Sequence, residues 1–321
     1  MPPIVIAAFA ILLSGQEAPA QAQDSGSVQL PPVDVDGRLE NLDLETRVDS
    51  FVDSVAAPVG HWGPARWDWR QPLCIAAVNF QPEVARQLID RVGHAASLVE
   101  LRVSEPGCRR PKIIIFGTND GPATAQALLR DDMGRLIGRG DGMALGDTDL
   151  EAFQTSDRPI RWWHVNMPVD PDTGQRVVRI AGENAGSAAR SPDNPGTEPE
   201  KVSFKPFASR LYGHYRNDLR NVVIIVDTTR LGDVSFSQWA DYVAMVALTQ
   251  VAQDMNVSGH DSVLAVFDRP VASDGLTDWD RSFLQALYTA QLDSESQVAR
   301  MGAVEREMEA AEARRTRDGE R

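Results

Sequence analysis

No apolar run in this chain approaches the roughly 20 residues that a membrane-spanning helix needs; the longest, Ile4–Leu13, stops at Ser14. Cationic side chains are in deficit as well. Lys and Arg number 32 against 46 Asp and Glu, a formal net charge of −14. No basic cluster interrupts that field, so a phosphate backbone is repelled and nucleic acid is excluded as a partner. Several catalytic signatures are also missing. There is no G-x-S-x-G elbow from which to argue a Ser-His-Asp hydrolase. Gly138, Gly140, Gly142 and Gly146 do not fall into G-x-G-x-x-G and no P-loop lysine follows, so 134–146 reads as a mobile loop rather than a nucleotide site. The five histidines, at 61, 94, 164, 214 and 260, are scattered.

Cysteine is limited to Cys74 and Cys108, which flank one strand–helix–strand pattern. In an oxidising compartment that placement reads as a single disulfide, the alternative being two buried thiols. The compartment is read from the N-terminus. Ile4–Leu13 has the length of a signal-peptide h-region, and Ala20-Gln21-Ala22 supplies an A-x-A site, which predicts cleavage after Ala22. Met1-Pro2-Pro3 lacks the usual positive charge. Leu12-Leu13-Ser14-Gly15 resembles a lipoprotein box, but Gln16 stands where the lipidated cysteine belongs, which excludes a lipid anchor. Without residues 1–22, whose one charged side chain is Glu17, the net charge is −13.

Residues 23–40 are rich in Ser, Gly, Pro and Asp and read as a flexible leader. A domain is expected over 41–292 and a charged helical tail over 293–321. Leu44, Val48, Phe51, Val52 and Val55 space a short helix, and Leu73–Val78 reads as a strand with Pro72 at its start. Pro82 opens an amphipathic helix to about residue 99, Ile113–Phe116 is a second buried strand, and a right-handed crossover joins the two. A helix follows Gly121-Pro122 to about Met133. Pro159–Val169 and Gln175–Ile180 form a hairpin around Asp170–Gly174 that carries Trp162, Trp163 and His164. Gly182–Pro206 is a long surface loop, and Val222–Val226 a central strand. Ser235 caps a helix over 236–253 that is apolar nearly all round and therefore buried. Thr277 caps another over 278–289. In the tail, Val298, Met301, Val304 and Met308 form one stripe that either docks or frays. Trp62, Trp67 and Trp69 are a possible stacking platform, more simply read as core edge.

The segment 236–288 carries a resemblance. An apolar helix leads to Ser262–Asp268 and then to LTDWDRSFLQALY, in which Leu276, Asp280, Ala286, Leu287 and Tyr288 match the closing helix of zinc peptidases. With Trp67–Val78, this resembles a proteobacterial family of exported proteins of unknown function, itself similar to metzincin-like zinc peptidases. The resemblance implies an α+β domain with a twisted mixed β-sheet. It also implies a departure, because the HExxH motif is absent. The five residues at its place are Asp241, Tyr242, Val243, Ala244 and Met245. HExxH works because two histidines one turn apart face one metal and the glutamate activates its water. A thioether is a poor Zn²⁺ ligand, so no metal and no cofactor are expected. His260 lies too far along the chain to replace the third ligand. Asp241, Tyr242, Met245, Trp162, Trp163 and His164 are the candidate lining of the former cleft. The functional expectation is a non-catalytic, periplasmic or secreted envelope protein that binds a peptide, a wall fragment or other glycan, or a partner protein there. A hydrolase with a non-metal site in the same cleft and a structural envelope component are the alternatives.

Overall fold

The computed structural model describes residues 42–56, 63–130, 147–175, 216–269, 271–292 and 296–319, all within one compact unit, Arg38–Arg321. The expected export segment and leader lie outside these residues, as do the glycine-rich stretch, the 176–180 arm of the hairpin, the 182–206 loop, His61, Trp62 and His214. The fold is mixed α and β, with one open four-stranded sheet and seven helices among the described residues. In chain order these are α1 (Leu44–Val55), β1 (Ile75–Val78), α2 (Pro82–Ser97), β2 (Ile113–Thr118), α3 (Gly121–Arg130) and α4 (Asp147–Thr155). They continue with β3 (Ile160–Val169), β4 (Arg216–Asp227), α5 (Phe236–Leu248), α6 (Asp278–Thr289) and α7 (Gln297–Gly319). No described helix is long and apolar enough to cross a membrane.

The strands lie in the order β1-β2-β4-β3. β1, β2 and β4 are parallel, and β3 closes one edge antiparallel to β4. Side chains alternate across the sheet, so adjacent tryptophans serve opposite layers. Trp162 joins Val222, Ile224 and the residues of α1, α2, α5, α6 and α7 in the larger core. Trp163 packs with Val223, Ile225, Ala125 and Phe153 under α3 and α4.

Helix α5 is the centre of the larger core. Every residue from Trp239 to Leu248 is buried, and a capping box built by Ser235 and Gln238 starts the helix. It ends five residues short of the expected boundary. Thr249 is extended and its hydroxyl donates to the Met245 carbonyl. Val251 then bridges to Ala56, and its carbonyl accepts from Trp162 Nε1. These long-range partners outweigh the helical preference of Gln250–Gln253. The strand β4 begins earlier than expected because its polar start is internally satisfied. Arg216 donates twice to Asp218, at 2.6 and 2.8 Å, while Asn217 donates to Gly63 O and accepts from Asn166.

Helix α7 docks on the core through Arg300, Met301, Val304, Met308 and Ala311. The expected stripe is corrected at one position: Val298, in the first turn of α7, is 80% exposed, because the buried face begins only at Arg300. Arg66 fixes the other end of α6, its guanidinium donating to the carbonyls of Leu287, Tyr288 and Ala290. A cation at a helix C-terminus also complements the helix dipole.

Candidate binding groove

The six residues selected from sequence do not come together around an opening. Asp241 is 5% exposed, Tyr242 2%, Met245 0%, Trp162 0%, Trp163 2% and His164 0%. Asp241 instead locks three elements together. Its Oδ2 accepts from Arg91 of α2 at 2.8 Å and from the Leu276 amide at 2.7 Å. Burial raises the carboxyl pKa, opposed by the Leu276 hydrogen bond and the Arg91 charge. Gly275 has no side chain for the same reason, since a Cβ there would collide with the Asp241 carboxylate and Arg91.

His164 is equally structural. Its Nε2 lies 2.8 Å from the Val246 carbonyl, which only accepts, so Nε2 carries the proton. Burial depresses its pKa from 6.5 to about 4. A histidine lowered on folding takes up its proton first in the unfolded chain. Its contribution is therefore complete above pH 6.5 and is lost as pH falls toward 4, amounting to about 2 kcal/mol at pH 5. His260, buried between Phe51 and Trp279 and also lowered to about 4, acts in the same direction. Asp280, raised to about 6 by burial, acts in the opposite one. We expect His164→Gln to flatten the fall in unfolding free energy between pH 7 and pH 5 by about 2 kcal/mol relative to the unmodified chain. Equal slopes in paired urea titrations would remove this assignment.

Of the six, Tyr242 reaches a groove. An open cavity of about 600 Å³ lies where β3 begins and β4 ends. Three loops build it. Ser156–Ile160 lead into β3, Arg230–Val234 connect β4 to α5, and Leu264 sits in a short 3-10 turn at Val263–Ala265 that Val266–Asp268 follow. A second cavity of about 400 Å³ shares Asp233, Val234, Val266, Phe267 and Asp268 and extends the groove to Val271. The place has a structural rationale: in open sheets with parallel strands, ligand crevices form outside the carboxyl ends of strands.

The walls are apolar at Leu231, Val234, Leu264 and Phe267 and charged at Asp157, Arg158, Arg230, Asp233 and Asp268. Arg230 is already engaged, donating to Asp157 Oδ1 at 3.1 Å and lying 3.7 Å from Asp227. Asp227, buried beneath, accepts from Gly121 N and from both donors of Thr229. Burial pushes its pKa up, and the hydrogen bonds outweigh that and leave it lowered. The ring of Tyr242 packs edge-on against Phe267 at 5.1 Å, and the Arg158 guanidinium lies over Trp162 at 5.6 Å. Among the described residues no three His, Cys, Asp or Glu side chains are grouped as a metal site would require.

Sequence reasoning located Tyr242 but missed the rest, because the groove is assembled from loops up to about a hundred residues apart. The only local signal was polar sequence at strand ends, Ser156–Arg158 before β3 and Thr228–Asp233 after β4. Trp67 and Trp69 form no joint platform. Trp67 is buried and donates to the Ala247 carbonyl, whereas Trp69 is 62% exposed. Neither a protein-family model, nor a curated protein, nor a solved structure matches this chain.

Proposed function

We propose that this chain is an exported, non-catalytic envelope protein of peptidase-like descent that binds a peptide in the groove above Tyr242. The observation that carries the reading is the open, mixed apolar and charged cavity of about 600 Å³ at the carboxyl end of β4. Apolar walls with charged rims suit a ligand that has both side chains and a polar backbone. The descent rests on the resemblance over 236–288. The order of α5, the 3-10 turn and α6 supports it, as does Asp280 of the LTDWD segment, which holds that turn to α6. The non-catalytic part rests on what occupies the ligand positions of the catalytic helix: Asp241 is spent on Arg91 and Leu276, and Met245 is sealed in the core. The Cys74–Cys108 disulfide supports an oxidising compartment.

The test is binding of a fluorescent short-peptide library to the full chain, followed by Phe267→Glu and Leu231→Glu. Either change places a charge on an apolar wall and is expected to weaken binding by about tenfold or more, with the melting temperature retained. Stoichiometric zinc in the purified chain, with stability lost on chelation, would overturn the reading.

A further inference from the structure

We propose that the Arg158–Tyr242 end of the groove is a carboxylate subsite, so that the peptide taken is one presenting a carboxylate at its C-terminus or on a side chain. The inference rests on the peptide-binding reading above and adds the chemistry of the ligand. It comes from counting donors. Arginine has only donors, so Arg158, whose charge acts on the Tyr242 phenol from the cavity wall that both line, can take no proton from it. The phenol's own proton then needs an acceptor, and among the described residues no side chain or carbonyl takes it.

Arg158 is in the same position. It forms no ion pair with a carboxylate among the described residues, whereas its neighbour Arg230 is paired with Asp157 and lies beside Asp227. The Arg158 guanidinium carbon lies 5.6 Å from the centre of the Trp162 ring, a cation–π contact that holds the charge without using its N–H groups. Two adjacent groups with unused donors at the wall of an open groove fit an anionic oxygen pair. A carboxylate matches the planar fork of arginine. The site also excludes a tyrosinate, because burial raises the phenol pKa and keeps the proton in place for donation. Asp268 lies close enough to act on Tyr242 electrostatically and lines the same cavity. It repels the incoming carboxylate and sets the strength of the subsite.

Four acetylated tripeptides test this on the full chain: Leu-Gln-Leu and Leu-Glu-Leu, each as the free acid and as the C-terminal amide, measured by calorimetry. A preference for free acid over amide assigns the C-terminal carboxylate, and a preference for Glu over Gln assigns a side chain. In either case Arg158→Ala is expected to reduce binding of the preferred peptide about 10- to 100-fold, the range of a charge-assisted hydrogen bond. Arg158→Lys retains charge without the fork and falls between. Tyr242→Phe keeps the ring packing and is expected to lose about three- to tenfold, and Asp268→Asn to tighten binding. Equal affinity for all four peptides, or a preference that survives Arg158→Ala, would overturn the carboxylate subsite while leaving the groove intact. No binding of any of the four at about 1 mM would remove the groove reading and this inference together.

Discussion

Replacing Asp280 by alanine is expected to destabilise the chain by about 3 to 5 kcal/mol, a large part of the stability of an ordinary domain. The carboxylate is fully buried and gathers four donors. Ser262 Oγ reaches Oδ1 at 2.5 Å; the amides of Val263 and Thr277 reach Oδ2 at 2.8 and 2.9 Å, as does Thr277 Oγ1 at 2.9 Å. Truncation leaves the two amides buried without an acceptor, each costing about 1 to 3 kcal/mol, and removes the capping box that starts α6. Ser262 also accepts from Leu264 N, so the 3-10 turn loosens with it. Since Leu264, Val266 and Phe267 form one groove wall, binding should weaken along with stability. Asp280→Asn is the internal comparison. One amide oxygen can take over the donors at Oδ2, and a loss of about 1 to 2 kcal/mol is expected. Urea denaturation measures both. A loss below about 1 kcal/mol for the alanine variant would mean that the turn and helix are held by something other than this carboxylate.

The second large effect is expected on removing the disulfide. Cys74 and Cys108, 34 residues apart and with Cα atoms 5.9 Å apart, are joined. A closed loop of that size is worth about 3 to 4 kcal/mol in the chain-entropy model. The cross-link also has a local task. β1 is an edge strand of four residues, and Leu73 just before it pairs with Val103 through Leu73 N to Arg102 O and Ser104 N to Leu73 O. Without the bond, that short register depends on two backbone hydrogen bonds and the β2 ladder. We expect the Cys74→Ser, Cys108→Ser double variant to melt at lower temperature and to lose amide protection in β1 and α2 before β4. A double variant as stable as the parent would show that the loop between the two cysteines is already ordered by packing alone.

The sequence was most legible where a local signal matched the long-range context. The apolar spacing of Leu44–Val55, the Thr277 cap and the run Ile113–Phe116 describe elements that exist close to the expected bounds, and Ser235 marks the start of α5. Reading failed where a distant partner decided the outcome. Gln250–Gln253 looks helical, yet the Val251 bridge to Ala56 pulls it straight. Arg216–Asp218 lies outside the strand expected over Val222–Val226, yet an arginine and an aspartate two residues apart neutralise each other inside β4. α4 escaped notice because nine residues with few apolar side chains give almost no periodicity. The site was harder still. Five of the six selected residues belong to the core, because residues flagged by a catalytic-helix comparison need not face the opening that folding leaves.

Hydrogen–deuterium exchange of the full chain, with and without the preferred acetylated tripeptide, tests the central claim most directly. Binding in the groove predicts slowed exchange at 156–160, 230–234 and 264–268, with β1 and α7 unchanged. Protection elsewhere with these three loops unaffected would contradict it.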